Sequence, residues 1–164
     1  MSLGLEIFTL FHVLLSLIGI GSGLVVAVGF TKSKLLAGWN TWFLVTTIAT
    51  SVTGFLFPFH KLLPSHVLGI MSLIVLALAA FALYGRRLAG GWRRTYVITA
   101  MIALYFNVFV LVVQLFQKVP TLKALAPTQS EAPFKVAQVI VLAAFVLLGF
   151  LAAKKFTEKQ GLVA

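Results

Sequence analysis

The segment Thr53-Gly-Phe-Leu-Phe-Pro-Phe-His60-Lys-Leu-Leu-Pro-Ser-His66-Val-Leu-Gly69 lies between two long apolar runs and has the composition of a joint between two membrane helices. It carries two of the three histidines in the chain, His60 and His66. The third, His12, is expected on the same side of the membrane. Functional expectations for this protein therefore centre on one histidine cluster beside this joint.

The composition indicates that lipid is the solvent. Of the 164 residues, 61% are hydrophobic and only 10% are charged, and the mean hydropathy is +1.10. Apolar residues make up about half of a typical soluble chain, so a soluble domain of this size has no room to hide this much apolar surface. The length allows a single domain, residues 1–164. Cysteine is absent, which excludes disulfides, thiolate metal sites and thiol nucleophiles.

Five apolar runs are long enough to cross about 30 Å of hydrocarbon, which takes about 20 helical residues. Glu6 and the lack of a preceding basic segment are not typical of a secretory signal, so the first run is interpreted as a helix of the mature protein. The pattern predicts an all-α polytopic membrane protein, a bundle of five transmembrane helices. The predicted helices cover approximately residues 5–30, 39–59, 65–84, 95–116 and 134–153.

The basic residues predict the orientation of this bundle. Nine of them fall on one side, in the loops after the first and third helices and in the C-terminal tail, and four fall on the other side. Because lysine and arginine are enriched in cytoplasmic loops, we expect the N-terminus outside and the C-terminus inside. The two groups are Lys32, Lys34, Arg86, Arg87, Arg93, Arg94, Lys154, Lys155 and Lys159 on the first side, and Lys61, Lys118, Lys123 and Lys135 on the second.

Small and polar residues mark the faces that should pack inside the bundle, because apolar residues do not distinguish inside from outside in lipid. On the first helix, Gly19 and Gly23 form a small-xxx-small pair on the same face as His12. On the fourth helix, Asn107 and Gln114 share a face. An amide or imidazole against lipid tails is costly, so these side chains are expected inside the bundle or at a wet cavity mouth near the outer surface.

The long outer loop, residues 118–133, contains three prolines and is not expected to form one continuous helix. Thr128-Gln-Ser-Glu131 has the spacing of a capping box and precedes the last apolar run. The last helix is therefore expected to begin there, with Glu131 near its positive end.

The histidines suggest a first kind of site, a metal or haem centre. Neutral imidazole binds zinc, copper and haem iron, so His12, His60 and His66 are candidate metal ligands. His12 and His66 would be able to clamp a single haem b, with Gly19 and Gly69 allowing close approach. The structural alternative is that His60 and His66 are interfacial side chains at helix ends and that His12 is a hydrogen-bonded packing residue.

A second kind of site is a polar pocket for a quinone, a lipid or a small apolar ligand, because membrane sites are mostly apolar with a few placed polar groups. The alternative is ordinary hydrogen bonding between helices, worth about 0.6 kcal/mol on average. The candidate residues for binding a cofactor or ligand are His12, His60, His66, Tyr105, Asn107 and Gln114.

The predicted function is binding of a redox cofactor or of a quinone-like or lipid ligand on the periplasmic side. The alternatives are a non-catalytic lipid-binding or accessory subunit, and a small transporter. The sequence identifies no catalytic residue, so it leaves open whether the protein is an enzyme. It also leaves open whether the protein forms a homo-oligomer. The net charge of +10 comes from lysines and arginines in short loops, where such residues set the orientation of the helices and contact lipid headgroups. Lipids and not nucleic acids are therefore the expected partners.

Three segments of this chain resemble a family of small, uncharacterised five-helix proteins of the bacterial inner membrane. The resemblance covers nearly the whole chain and implies a multi-pass protein of the cytoplasmic membrane of a Gram-negative bacterium. It implies no activity, substrate or catalytic residue. The segments are Phe57-Pro-Phe-His-Lys-Leu-Leu-Pro-Ser-His66, Tyr105-Phe-Asn-Val-Phe-Val-Leu-Val-Val-Gln114 and Ala126-Pro-Thr-Gln-Ser-Glu-Ala-Pro-Phe134.

Overall fold

The computed structural model describes residues 3–57 and 64–158, and every regular element within these ranges is helical. The predicted all-α class is therefore confirmed. The last turn of the third helix is a π-helical turn, Phe81–Gly85. The helices are α1 (Leu3–Thr31), α2 (Ala37–Gly54), α3 (Pro64–Ala80), α4 (Trp92–Lys118), α5 (Pro120–Leu125) and α6 (Ala132–Glu158).

Four of the described helices are long and apolar enough to cross a membrane, so the chain has the character of a multi-pass membrane protein. The segments are Leu3–Thr31, Ser65–Gly85, Trp92–Lys118 and Ala132–Phe156. The shorter α2, with 18 residues, is not among them. Its asparagine, serine and threonines lower its hydropathy, and their positions in the bundle are described below.

Two helix ends differ by five residues from the apolar runs that predicted them, and the other ends of the five predicted helices differ by one to three. The predicted helix 39–59 corresponds to α2, which ends at Gly54; the N–H groups of Phe55 and Leu56 then bond to carbonyls only three residues back. The predicted helix 134–153 corresponds to α6, which continues past Lys154 and Lys155. It continues because Phe156, in its last turn, is fully buried in the core.

The connection between α4 and α6, predicted as the outer loop, contains a short helix that the sequence pattern did not reveal. Pro120 occupies the first turn of α5, where a missing N–H costs nothing. The predicted capping pair lies just before α6: the Thr128 hydroxyl donates to Glu131 Oε1 at 2.8 Å, and the Thr128 N–H donates to the same atom at 3.2 Å. These hydrogen bonds to the carboxylate lower the pKa of Glu131.

The helices form a bundle in which α1 packs antiparallel to α2 and also contacts α4 and α6. α3 packs on α2 and α4, and α6 packs on the outside of α4 and α1. The α1–α2 pair is close because Gly23 leaves room for its neighbours. A Cβ atom on Gly23 would lie 2.5 Å from Leu104 Cδ1 and 2.9 Å from the Phe43 ring. The predicted close approach at Gly19 and Gly23 is thus confirmed.

The close-packed core lies at one end of the bundle. There, Phe30 contacts Tyr96 with ring centroids 5.6 Å apart and Phe156 with centroids 5.0 Å apart. The buried Tyr96 hydroxyl donates a hydrogen bond to Asn40 Oδ1, and the Asn40 amide donates to the Leu36 carbonyl at 2.7 Å. The amide of Asn40 is thereby satisfied on both of its polar atoms without water.

We call this end of the bundle the basic end, because the α1–α2 loop, the α3–α4 loop and the end of α6 meet there with Lys32, Lys34, Arg86, Arg87, Arg93, Arg94, Lys154 and Lys155. The Ser33 hydroxyl donates to the Lys155 carbonyl at 2.7 Å and ties two of these segments together. The Arg93 guanidinium lies 4.3 Å from the centre of the Phe156 ring, a cation–π contact. We call the opposite end, which carries His12 and His66, the histidine end.

Candidate functional site

A cavity of about 520 Å³ lies at the histidine end, walled by α1, α2, α3 and α4. It is the counterpart of the close-packed basic end: the same four helices that pack tightly there leave a space here. Its wall is largely apolar, with a small number of polar groups from each helix. These include His12 and Ser16 on α1, His66 and Ser72 on α3, and Asn107 and Gln114 on α4.

The His12 ring is held in a defined orientation by α2. Its Nδ1 lies 2.8 Å from Thr53 Oγ1, and the Thr53 hydroxyl already donates its proton to the Ala49 carbonyl at 2.7 Å. Because a hydroxyl has one proton, Nδ1–H of His12 must be the donor in the histidine–threonine hydrogen bond. A neutral His12 therefore has its proton on Nδ1 and an exposed lone pair on Nε2.

Aromatic packing fixes the remaining freedom of the His12 ring. The ring meets Phe57 edge to face, with centroids 5.1 Å apart, and Phe57 itself packs on Phe8 at 4.9 Å. A Cβ atom at Gly54 would lie 3.7 Å from His12 Cε1, so this glycine leaves open space beside the ring. Nε2 of His12 has no hydrogen-bond partner within residues 3–57 and 64–158.

His66 lies on the opposite wall, in the first turns of α3, and is buried at 6% exposure. Its ring is 5.8 Å from that of Phe55. Phe55 is able to pack there because Gly69, one turn further along α3, has no side chain; a Cβ at Gly69 would lie 2.9 Å from Phe55 Cζ. The α2–α3 side of the cavity is closed further by Ser51, whose hydroxyl donates to Ser72 Oγ at 3.1 Å.

The floor of the cavity, toward the middle of the bundle, is polar. Asn107 Nδ2 donates to Thr47 Oγ1 at 3.4 Å. Both groups lie against Gly19, where a Cβ atom would come within 3.0 Å of Thr47 Oγ1 and 3.3 Å of Asn107 Nδ2. Gly19 thus lets the asparagine of α4 and the threonines of α2 meet beneath the cavity.

The mouth of the cavity carries positive charge. Gln114 and Lys118, one turn apart on α4, both belong to its wall. No carboxylate lines the cavity in the described parts of the chain. The connection between α4 and α6 is anchored beside the mouth by Gln129, whose Nε2 donates to the Val113 carbonyl at 3.0 Å.

No protein family, curated protein or solved structure matches this chain. Inference about function therefore depends on the cavity and the groups that line it.

Four of the six predicted site residues line this one cavity: His12, His66, Asn107 and Gln114. Tyr105 does not; its ring faces the α4–α6 interface and packs against Phe145 at 5.8 Å. His60 lies outside the described residues. Within the described ranges no group of three or more histidine, aspartate or glutamate side chains would hold a metal ion.

Several groups of the site were not assigned a role by the sequence pattern. Thr53 is one of them, because its hydrogen bond to His12 depends on how α1 and α2 are aligned, which the sequence does not reveal. The same holds for the Ser51–Ser72 pair. Lys118 was identified only as a topology signal, although its position four residues after Gln114 places it on the same helix face.

Proposed function

We propose that this protein is a five-span protein of the bacterial inner membrane that binds one quinone-like or lipid ligand in its histidine-end cavity, on the periplasmic side. The observation that carries the proposal is the convergence of His12, His66, Asn107 and Gln114 on one cavity of about 520 Å³. Small-molecule sites typically have about 300–1,000 Å³ of mostly apolar space with a few placed polar groups. His12 and Gln114 serve as hydrogen-bond partners for the head of the ligand, and the apolar wall holds its body.

A hydrogen-bonding role for His12 is favoured over ligation of a metal. A histidine whose Nδ1–H is anchored, as His12 is by Thr53, suits both roles, since metal-ligating histidines are oriented in the same way. A zinc or copper site needs further ligands, and the described residues offer His66 but no third ligand near it. A single haem b between His12 and His66 is the redox version of the proposal, and an optical spectrum of haem-replete protein without a Soret band would rule it out.

The five-span topology is supported by the course of α2. The segment 36–57, which contains α2, follows α1 from Leu36, against Gly29, to Phe57, against Phe8. The 21 residue steps between Phe8 and Gly29 rise about 32 Å in a helix, which matches the hydrocarbon thickness of about 30 Å. Its buried polar side chains face α1, α3 and α4, and its exposed face is mainly apolar. The exposed large side chains are Trp39, Trp42, Val45, Val52 and Leu56, and the exposed Thr41 is hydrogen-bonded to Tyr84.

Cysteine labelling tests this topology directly, because the chain has no native cysteine. In intact cells with a permeabilised outer membrane, a membrane-impermeant maleimide is expected to label Ser65→Cys and not Lys34→Cys. Both variants should react after the inner membrane is opened. Labelling of both from the same side would show that α2 does not cross, and labelling of Lys34→Cys alone would reverse the orientation.

Ligand binding is tested by extracting detergent-purified protein with organic solvent and identifying the released molecules by mass spectrometry. The unmodified protein is expected to release a stoichiometric quinone or lipid. Gly54→Leu should abolish this, because Gly54 lies on the cavity wall and the leucine side chain would fill the space beside His12. Gly21→Leu is the matched control, since Gly21 is exposed and a Cβ atom there meets nothing within 4 Å.

The same experiment separates the proposal from a non-catalytic accessory subunit. That alternative expects His12→Ala and His66→Ala to alter stability and leave the ligand content unchanged. If Gly54→Leu and Gly21→Leu both retained the same bound molecule as the unmodified protein, the cavity would not be its site. A small transporter would instead show substrate flux in proteoliposomes, which a binding subunit does not.

A further inference from the structure

The cavity wall formed by α1 and α2 is rich in hydrogen-bond acceptors and poor in donors. Each hydroxyl that these two helices contribute to the wall already donates its proton in a hydrogen bond to another group of the protein. Thr9 donates to the Leu5 carbonyl at 2.7 Å, Ser16 to the Val13 carbonyl at 2.8 Å, Thr50 to the Thr46 carbonyl at 2.8 Å and Ser51 to Ser72 Oγ at 3.1 Å. Their oxygens retain lone pairs but no free proton.

His12 belongs to the same acceptor surface. Its proton is on Nδ1, committed to Thr53, and imidazole is mostly neutral at pH 7. Nε2 therefore offers a lone pair and no proton. A ligand carbonyl placed against Nε2 would bring two lone pairs together, whereas a ligand hydroxyl would donate a hydrogen bond.

The donors of the cavity lie on α4 and on α3, where Ser72 accepts a hydrogen bond from Ser51 and keeps its own hydroxyl proton. The Gln114 amide and the Lys118 ammonium both line the wall near the mouth and present N–H groups, which a ligand oxygen of any kind is able to accept. They do not distinguish a hydroxyl from a carbonyl. Discrimination between these two groups therefore falls to the α1–α2 wall and above all to His12.

We propose that the cavity selects ligands whose head carries a hydroxyl group, and that it therefore prefers a hydroquinone to the corresponding quinone. This inference rests on the proposed function and specifies the redox state of its ligand. A hydroquinone donates one hydroxyl to His12 and accepts from α4 with its other oxygen. A site built to pair with a hydroxyl rejects an analogue that lacks it, because an acceptor that the bound ligand shields from water is then left without a partner.

The test compares the affinities of decylubiquinol and decylubiquinone for the detergent-purified protein, by calorimetric titration under anaerobic conditions. The reduced form is expected to bind about tenfold more tightly, the value of one hydrogen bond of roughly 1.4 kcal/mol. Thr53→Val removes the group that holds the His12 proton on Nδ1, so either tautomer becomes available to the ligand. The preference is then expected to fall to about twofold.

Thr53→Ser is the matched control, because it keeps the hydroxyl and should retain the tenfold preference. The ratio of the two affinities is the informative quantity: a merely structural role of Thr53 would weaken both ligands equally and leave the ratio unchanged. A ratio that persists in Thr53→Val would overturn the assignment to His12. Equal affinities in the unmodified protein would refute the preference for a hydroquinone and leave the proposed function standing. Failure of both probes to bind would refute the proposal that the cavity binds a quinone-like ligand.

Discussion

A methyl group added at Gly23 should destabilise the bundle, and the structure gives the size of the effect. The new Cβ would lie 2.5 Å from Leu104 Cδ1 and 2.9 Å from two atoms of the Phe43 ring. Both neighbours are about 1% exposed and have no free space to move into. Overpacking of a filled core costs about 1–3 kcal/mol, partly offset by the roughly 0.5–1 kcal/mol that alanine gains over glycine in a helix.

Gly21→Ala isolates the steric effect from the helix propensity. Gly21 lies two residues away on the same helix, and a Cβ there meets nothing within 4 Å. The propensity gain is common to both variants, so the difference between Gly21→Ala and Gly23→Ala should be the overpacking cost, about 1–3 kcal/mol. Reversible unfolding by SDS in mixed micelles, followed by tryptophan fluorescence, measures it. Equal free energies of unfolding would refute the proposed close packing of α1 against Phe43 and Leu104.

Two further predictions concern other parts of the chain. Tyr96→Phe leaves the buried Asn40 Oδ1 without its donor, so it should lower the free energy of unfolding by about 1–3 kcal/mol. The exposed Tyr84→Phe should change it by less than about 0.5 kcal/mol, and equal effects would contradict the buried hydrogen bond. The hydrogen bond from Thr128 lowers the pKa of Glu131, so any stability that it contributes is present above the ordinary glutamate pKa and is lost as the pH falls through the lowered value. Thr128→Val should therefore raise the pKa of Glu131, measured by carbon NMR of the carboxyl group, and an unchanged titration would argue against that bond.

Residue spacing within α4 correctly predicted two residues of the site, and the same spacing would also have excluded Tyr105. Asn107 and Gln114 are seven residues apart, close to two helical turns, so both were expected on one face, and both line the cavity. Tyr105 was grouped with them, but it precedes Asn107 by two residues and so points to a different side of α4. Its contact with Phe145 follows from that geometry.

Contacts between helices were beyond the reach of the sequence because they depend on how the helices are aligned. The glycines at positions 19 and 23 indicate that some helix approaches α1 closely. They do not reveal that Phe43 and Thr47 of α2 are the groups that fill the space. The pairing of His12 with Thr53 depends on the same alignment. The end of α6 was placed too early because Lys154 and Lys155 end the apolar run, although Phe156 is buried beyond them.

The polar inner face of α2 has a consequence for how the protein is made. Asn40, Thr46, Thr47 and Thr50 are buried in the bundle against α1 and α4, so under the proposed five-span topology α2 on its own would enter a bilayer poorly. In a newly synthesised chain, α1 is already complete when α2 emerges from the ribosome, and the two should enter the membrane together as a hairpin. Substitutions in the glycine face of α1 would then reduce the amount of inserted protein before they affect any ligand.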